Sequence, residues 1–185
     1  MEIRHAESRD AASLARVHVN AWRSAYKGLL PDEYLARLNY EKRWRWFLEH
    51  AGETSPATFV IVESGVVLGF LTVGACRDAA LPATTGEIHG IYLAPEHWRH
   101  GIGRRVCDFA EALLKTSGYS MAILWVFAGN RAARCFYEAM GFASDGASKI
   151  VDIAGGIEAI RYRKPLLDAE HPAAPDGPRP GVQSG

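Results

Sequence analysis

Residues 96–105 read EHWRHGIGRR: two glycines one residue apart, ringed by Arg99, His100, Arg104 and Arg105, between an apolar run and a helix-like run. Glycine has no Cβ and visits positive φ freely, so neighbouring backbone N–H groups can turn outward together at such a bend. A helix starting just after the bend adds the positive end of its dipole. Such a turn suits an anion, and above all a phosphate. Three phosphate loops compete for the reading. A Walker A loop needs Gly-Lys-Ser/Thr, but Gly103 is followed by Arg104-Arg105. The dinucleotide fingerprint needs a third glycine three places after Gly103, where Val106 stands, and the following strand lacks an acidic residue near its end to hold a ribose. The third kind of loop is chosen by what lies on either side.

Upstream, GEIHGIYLAP (86–95) reads as a strand stopped by Pro95. Downstream, GRRVCDFAEALLKTSG reads as a helix with Val106, Phe109, Ala110, Leu113 and Leu114 on one stripe. SMAILWVFA (120–128) is nearly all apolar, as the centre of a sheet is. Asn130 caps RAARCFYEAM, and Gly141 stands where a helix C′ residue belongs. Two last strands, around 147–153 and 157–163, join through Gly155-Gly156. Towards the N-terminus, EIRHA (2–6) is a short strand, and Ser8 opens a helix with Leu14, Val17, Ala21 and Trp22 at helical spacing. KGLLP breaks that helix, and Pro31 with two acids starts a second one over 31–50. ATFVIVE (57–63) and VVLGFLTVGAC (66–76), joined at Ser64-Gly65, read as a hairpin. The order β-α-α-β-β-β-α-β-α-β-β predicts an α/β domain with a mixed sheet covered by helices.

The chain has 185 residues, enough for one domain, placed at 1–167. Residues 168–185 form a Pro/Gly-rich tail; 172–185 alone hold four prolines and three glycines, so the tail is expected to be disordered. Net charge is zero, which gives no electrostatic case for nucleic acid or an anionic membrane. There is no signal-peptide apolar region and no run of membrane-spanning length, so a cytoplasmic location is expected. Cys76, Cys107 and Cys135 are odd in number and lack metal-ligand spacing, so reduced thiols and no metal are expected.

The glycine stretch resembles the pyrophosphate loop of the GNAT superfamily, the acetyl-coenzyme-A-dependent N-acetyltransferases. Their pattern Gln/Arg-x-x-Gly-x-Gly/Ala covers Trp98 to Gly103 here; Gly101 and Gly103 match, and Trp98 stands where the family has Gln or Arg. NRAARCFYEAMGF (130–142) is similar to the family's second signature, with Asn130, Ala133, Phe136, Tyr137, Gly141 and Phe142 all in place. EIHGIYLAP resembles the strand before the loop, and AWRSAYKGLLP resembles the acceptor-side helices of bacterial members. The resemblance spans nearly all of residues 2–165. It implies a mixed, mostly antiparallel central sheet flanked by helices, acetyl-CoA as co-substrate, and direct transfer to an amine in a ternary complex.

It also implies roles. The coenzyme side is expected to comprise the backbone of Ile91, Tyr92 and Leu93 along the pantetheine arm, the loop Trp98, Arg99, His100, Gly101, Ile102, Gly103 and Arg104 around the phosphates, and Asn130. An alkylammonium must lose a proton before it attacks, and the departing thiolate gains from one. Glu87 is the base, acting directly or through a water, with His89 in reserve, and Tyr137 is the acid. As an isolated residue, Glu87 reads equally as a solvated strand glutamate, and Tyr137 as part of a core stripe with Ala133, Phe136 and Met140. Cys135 lies near Tyr137 in sequence, but no adjacent histidine activates it, and an acyl-cysteine is set aside. Trp22, Tyr26, Trp44 and Trp46 line an acceptor pocket or fill the core. The acceptor is expected to be a small-molecule or peptide amine, with pairing of the last strands as a route to a homodimer. The reading that competes is a sensor that binds acyl-CoA without turnover.

Overall fold

Ser64 and Gly65 make the hairpin turn. In the computed structural model, which describes residues 1–50 and 52–166, their φ angles are +51° and +80°. Two successive left-handed residues match the twist of the strands they join. Those strands are β2 (Ala57–Glu63) and β3 (Val66–Ala75). With β1 (Glu2–His5), β4 (Thr85–Leu93), β5 (Met121–Phe127), β6 (Ala143–Val151) and β7 (Ile157–Pro165) they form one seven-stranded sheet in the order β1-β2-β3-β4-β5-β7-β6. Every neighbouring pair is antiparallel except β4 and β5.

Strand alternation divides the core between two faces. Phe59, Ile61, Leu71 and Val73 pack with Val106, Cys107, Ala110 and Leu114 of α4 (Ile102–Thr116) and with Tyr137 and Met140 at the end of α5 (Arg131–Ala139). Val60 and Phe70 point the other way. They meet Leu14, Ala15 and Val17 of α1 (Ala11–Ala25) and Phe47 of α3 (Tyr40–Glu49). The mixed α/β sheet flanked by helices is the expected one.

The helix expected over 31–50 is two helices. α2 (Asp32–Ala36) stops, and α3 starts afresh at Asn39, whose side chain accepts from the Lys42 N–H at 2.9 Å. The break stands because Arg23 of α1 bonds the carbonyls around it, among them Ala36 O and Leu38 O, which the break leaves without helical partners. Its guanidinium donates to Leu38 O at 3.0 Å, Leu35 O at 3.2 Å and Ala36 O at 3.4 Å. β6 begins at Ala143, earlier than read, because Gly146 at φ +84° makes an irregularity between Ser144 and Ser148 and pairing resumes beyond it. The tail at 168–185 and the domain edge at 167 lie outside the described residues. No helix among the described residues is long and apolar enough to cross a membrane.

Candidate active site

The sheet opens at its centre. β4 and β5 pair only at Thr85–Glu87 against Met121–Ile123, then part company. The cause lies in the β3–β4 ladder: Thr72 opposes Gly90 and Val73 opposes Ile88, so His89 is an extra, bulged residue that bends β4 away. A wedge-shaped gap follows, with Glu87 at its vertex and the ends of β4 and β5 as its arms. The bulge also breaks the simple strand alternation by which Glu87 and His89, two residues apart, would share one face.

Main-chain groups line one arm. Ala94 N–H donates to Leu68 O at 2.9 Å, which marks that pair as hydrogen-bonded. Antiparallel alternation then turns the Tyr92 main chain towards β3 and those of Ile91 and Leu93 towards the gap. Ile91 and Leu93 thus carry main-chain groups free for an added strand. The Tyr92 main chain is turned to β3, and its ring folds back over Gly90, where a Cβ would meet it at 2.5 Å.

Beyond β4, the chain makes the glycine bend. Arg99 and Gly101 both take left-handed φ, +64° and +77°. Gly101 is the N-cap of α4, and an added Cβ there would meet nothing within 4 Å, so the approach to the backbone is open. Arg105 N–H is the first to find an intrahelical carbonyl, that of Gly101, which leaves the amides of Ile102, Gly103 and Arg104 at a helix start without helical partners. Arg99, His100 and Arg104 surround this turn, and Arg99 and His100 are exposed. Trp98 takes an unforeseen part: its indole N–H donates to Leu93 O at 2.8 Å, tying the loop to the end of β4. These are the parts a coenzyme with a pantetheine arm and a pyrophosphate requires: an unpaired strand edge leading to a helix start with free amides.

Glu87 is 1% exposed. Burial would raise its pKa, but Arg77 outweighs that and holds the carboxyl below the ordinary range. The Arg77 N–H donates to Oε2 at 2.9 Å, its Nε to Oε1 at 3.1 Å, and its terminal guanidinium nitrogen also contacts Oε1. His89 Nε2 lies 3.1 Å from Ala75 O, which places the proton on Nε2 and leaves the Nδ1 lone pair free. Burial, and then the Arg77 cation, lower the His89 pKa and keep the ring neutral at neutral pH.

Tyr137 comes from α5. Asn130 Oδ1 accepts from Ala133 N–H at 3.1 Å and starts that helix; Gly141, at φ +85°, ends it. The Tyr137 ring is buried against Phe136 and Phe142, and its hydroxyl makes no hydrogen bond among the described residues. Burial raises its pKa, so the phenol stays protonated well above neutral pH.

The sequence pattern of the Acetyltransferase (GNAT) family matches residues 19–142, more than half of the chain. The chain belongs to the GNAT acetyltransferase family. Acetyl-CoA is the co-substrate of that family, and the chain is an N-acetyltransferase by membership. An uncharacterised N-acetyltransferase of Bacillus subtilis, YuaI, is 33% identical over 141 residues, covering 74% of this chain and 77% of that one. A spermidine N(1)-acetyltransferase of Thermoplasma acidophilum is 28% identical over 163 residues, covering 82% and 96%. In solved structures the fold recurs in the PaiA N-acetyltransferase of Thermoplasma acidophilum in complex with coenzyme A, with a TM-score of 0.65 at 22% identity over 86% and 96% of the two chains. It recurs again in yncA of Salmonella typhimurium with acetyl-CoA, with a TM-score of 0.66 at 22% identity over 96% and 98%.

Within this GNAT fold, Arg77 is the functional neighbour that sequence reading missed. It lies ten residues before Glu87, and only the β3–β4 turn brings the two together, so no local pattern marks it. On the other side of the gap, the aromatics of α1 approach. Trp22 and Tyr26 rings sit 6.2 Å and 4.9 Å from Phe127 at the end of β5, and His18 lies 5.2 Å from Tyr92. Of the four acceptor-side aromatics read from sequence, Trp22 and Tyr26 reach inward. Trp46 lines an outer cleft, and Trp44 is exposed.

Proposed function

We propose that this acetyltransferase moves an acetyl group from acetyl-CoA to a primary amine by direct attack in a ternary complex. The observation that supports it is the gap between β4 and β5, with an ionised carboxylate at its vertex and a free helix start below one arm. The amide groups of Ile102, Gly103 and Arg104 and the bend at Gly101 would hold the pyrophosphate. The main chain of Ile91 and Leu93 would pair with the pantetheine arm as an added strand does.

The amine nitrogen attacks the thioester carbon, a C–N bond forms, and the C–S bond breaks. The nitrogen becomes far more acidic as it bonds to carbon, so even a carboxylate with a lowered pKa can take its proton, directly or through a water. Tyr137, still protonated, supplies the proton that the thiolate needs. One observation supports a second reading of the base: both Glu87 oxygens are engaged by Arg77, whereas His89 keeps a free lone pair on a neutral ring.

The test is the release of coenzyme A thiol, followed against pH with a panel of primary amines. Glu87→Gln and Tyr137→Phe should each lower turnover on the order of 10²–10⁴-fold, as removal of a positioned base or acid does. Glu87→Gln should also flatten the rise in rate with pH. Wild-type rates in Glu87→Gln, with the loss appearing in His89→Gln, move the base to His89. Acetyl-CoA binding without thiol release for any amine removes the transfer reading and leaves the sensor.

A further inference from the structure

β3 ends at Ala75 and β4 starts at Thr85, and the turn between them gives no residue to either apolar cluster among the described residues. Yet this turn supplies the groups that hold Glu87. The Arg77 main-chain N–H donates to Oε2 and its side chain to Oε1, so the carboxylate rests on the turn's backbone as well as on a guanidinium. Glu87 is buried, but the Arg77 side chain is 60% exposed. An exposed arginine loses side-chain entropy when held in one geometry, and water competes for it. A buried carboxylate whose cation lets go favours its protonated form, which takes no proton from an amine. The ionised state of Glu87 therefore depends on how firmly the turn is fixed.

The residue after Arg77 supplies the anchor. Asp78 Oδ2 accepts from the Arg161 guanidinium of β7 at 2.8 Å, across 83 residues of sequence. Asp78 Oδ1 accepts from Ala80 N–H and its carbonyl from Leu81 N–H, both at 3.1 Å, so the same residue organises the turn itself. Arg161 is held on its own side as well. Its Nε donates to Asp145 Oδ2 of β6 at 2.8 Å, and it lies opposite Trp125 in the β5–β7 ladder, 5.7 Å from guanidinium carbon to ring centre. The side chains of Arg161 and Asp145 are only 15% and 7% exposed, so water competes far less here than it does at Arg77. At its far end the turn is tied by Thr84 O, which accepts from Ser120 N–H at 2.9 Å; beside Arg77 it is tied by Asp78.

We propose that Arg161 is a positioning residue for the transfer step: by holding Asp78 it fixes the β3–β4 turn, and through the turn it fixes the groups of Arg77 that grip Glu87. This rests on the reading of Glu87 as the base. The path runs from Asp145 through Arg161 to Asp78 by ion pairs, from Asp78 to Arg77 along the chain, and from Arg77 to Glu87 by hydrogen bonds. A purely electrostatic action of the same residues differs in sign at Asp78. Removing a nearby anion lowers the pKa of a carboxyl, whereas releasing the turn raises that of Glu87, because burial then prevails over a loosened Arg77. Cys76 of the turn, His89 of β4 and Lys149 of β6 also act on this carboxyl, and none of them is altered in the test.

The experiment follows the Glu87 side-chain carboxyl by carbon NMR against pH in the full chain, the resonance being identified by its loss in Glu87→Gln. Arg77→Gln should raise the midpoint by about 1–3 pH units, the usual effect of losing an adjacent guanidinium. Asp78→Ala and Arg161→Gln should each raise it by about half a unit or more, and Arg161→Lys by less. In an Arg77→Gln background neither change should add to the shift, because the path ends at Arg77. Should Arg161→Gln fail to fold, since it leaves Asp145 without its cation, Asp78→Ala at the more exposed end of the pair carries the test. An unmoved or lowered midpoint in Asp78→Ala, or a shift that persists in full without Arg77, overturns the proposal. Thiol release from acetyl-CoA, followed against pH with the same variants, separates the two levels. A raised midpoint with an unchanged rate profile leaves Arg161 as a support of Glu87 but removes both residues from the transfer step. A rate profile that moves while the midpoint stays fixed removes the path and leaves the base reading standing.

Discussion

The two walls of the central gap are built from different material. On the proposed coenzyme side the groups on offer are main-chain: the edge of β4 at Ile91 and Leu93, and the amides of Ile102, Gly103 and Arg104 at the start of α4. On the proposed acceptor side they are side chains: Trp22 and Tyr26 from α1, packed on Phe127 at the end of β5, with His18 beside them. A backbone wall binds whatever has the common shape of the coenzyme and tolerates wide change in side chains. Trp98 can stand in the loop, for example, because the loop's donors are elsewhere. A side-chain wall is specific, because each of its groups restricts what can pack against it. On the proposed reading, chemistry common to a family and the choice of substrate are encoded separately.

The comparison breaks most sharply at Gly101. Its φ of +77° disfavours any L-side chain, and its open surroundings mean that a new side chain points into the ligand's space and not into the core. Gly101→Asp adds a negative charge where phosphates are expected. Acetyl-CoA affinity should fall roughly 100-fold or more, near 2.7 kcal/mol, while the circular dichroism spectrum is retained. Calorimetry that finds unchanged affinity in the folded variant would remove the loop from the coenzyme site.

A smaller effect tests the other wall through its cost to the fold. Folded His18 titrates near 3, whereas in the unfolded chain it titrates near 6.5. Between those values the unfolded state binds the extra proton, so stability rises with pH and is lost as pH falls from 6.5. The slope from this group approaches about 1.4 kcal/mol per pH unit. Asp10 and Glu87, both held low in the native state, add acid sensitivity of the same sign, but only near and below their ordinary range, which starts around 4.5. His18→Phe keeps the stacked ring and removes the titration. Melting temperatures followed from pH 7.5 to 4.5 should therefore fall less in the variant than in the wild type. Parallel curves would mean that His18 is not desolvated, and the acceptor wall would lose its most unusual group.

The same division explains what the sequence made legible. The hairpin at Ser64-Gly65, the cap at Asn130 and the glycine bend are local devices, and each was found where it stands. The parts of the proposed coenzyme wall are local in the same way, because backbone geometry leaves glycines and strand edges as its trace. The break at 37–39 was missed because Arg23, far away on α1, holds the freed carbonyls; Asn39 was the one local sign of it. Arg77 was missed for the same reason. An arginine just past the end of a strand reads as solvated until tertiary structure shows which carboxylate it holds.

The finest test concerns Trp98, where a side chain enters the backbone wall. Its indole N–H occupies Leu93 O, one of the two carbonyls of β4 that face the gap near the loop. Trp98→Phe should therefore have two opposed effects. The loop loses a tie to β4, which weakens the pre-formed bend, and the Leu93 carbonyl is released for a hydrogen bond to the coenzyme arm. Trp98 is 37% exposed, so water competes for the bond, and a hydrogen bond of this kind contributes about 0.5–1.5 kcal/mol. With the gain and loss of comparable size, acetyl-CoA affinity should change by no more than about threefold in either direction. A loss above tenfold by calorimetry would show that the indole shapes the loop. In that case the coenzyme wall would depend on a side chain after all, and the contrast between the two walls would be one of degree.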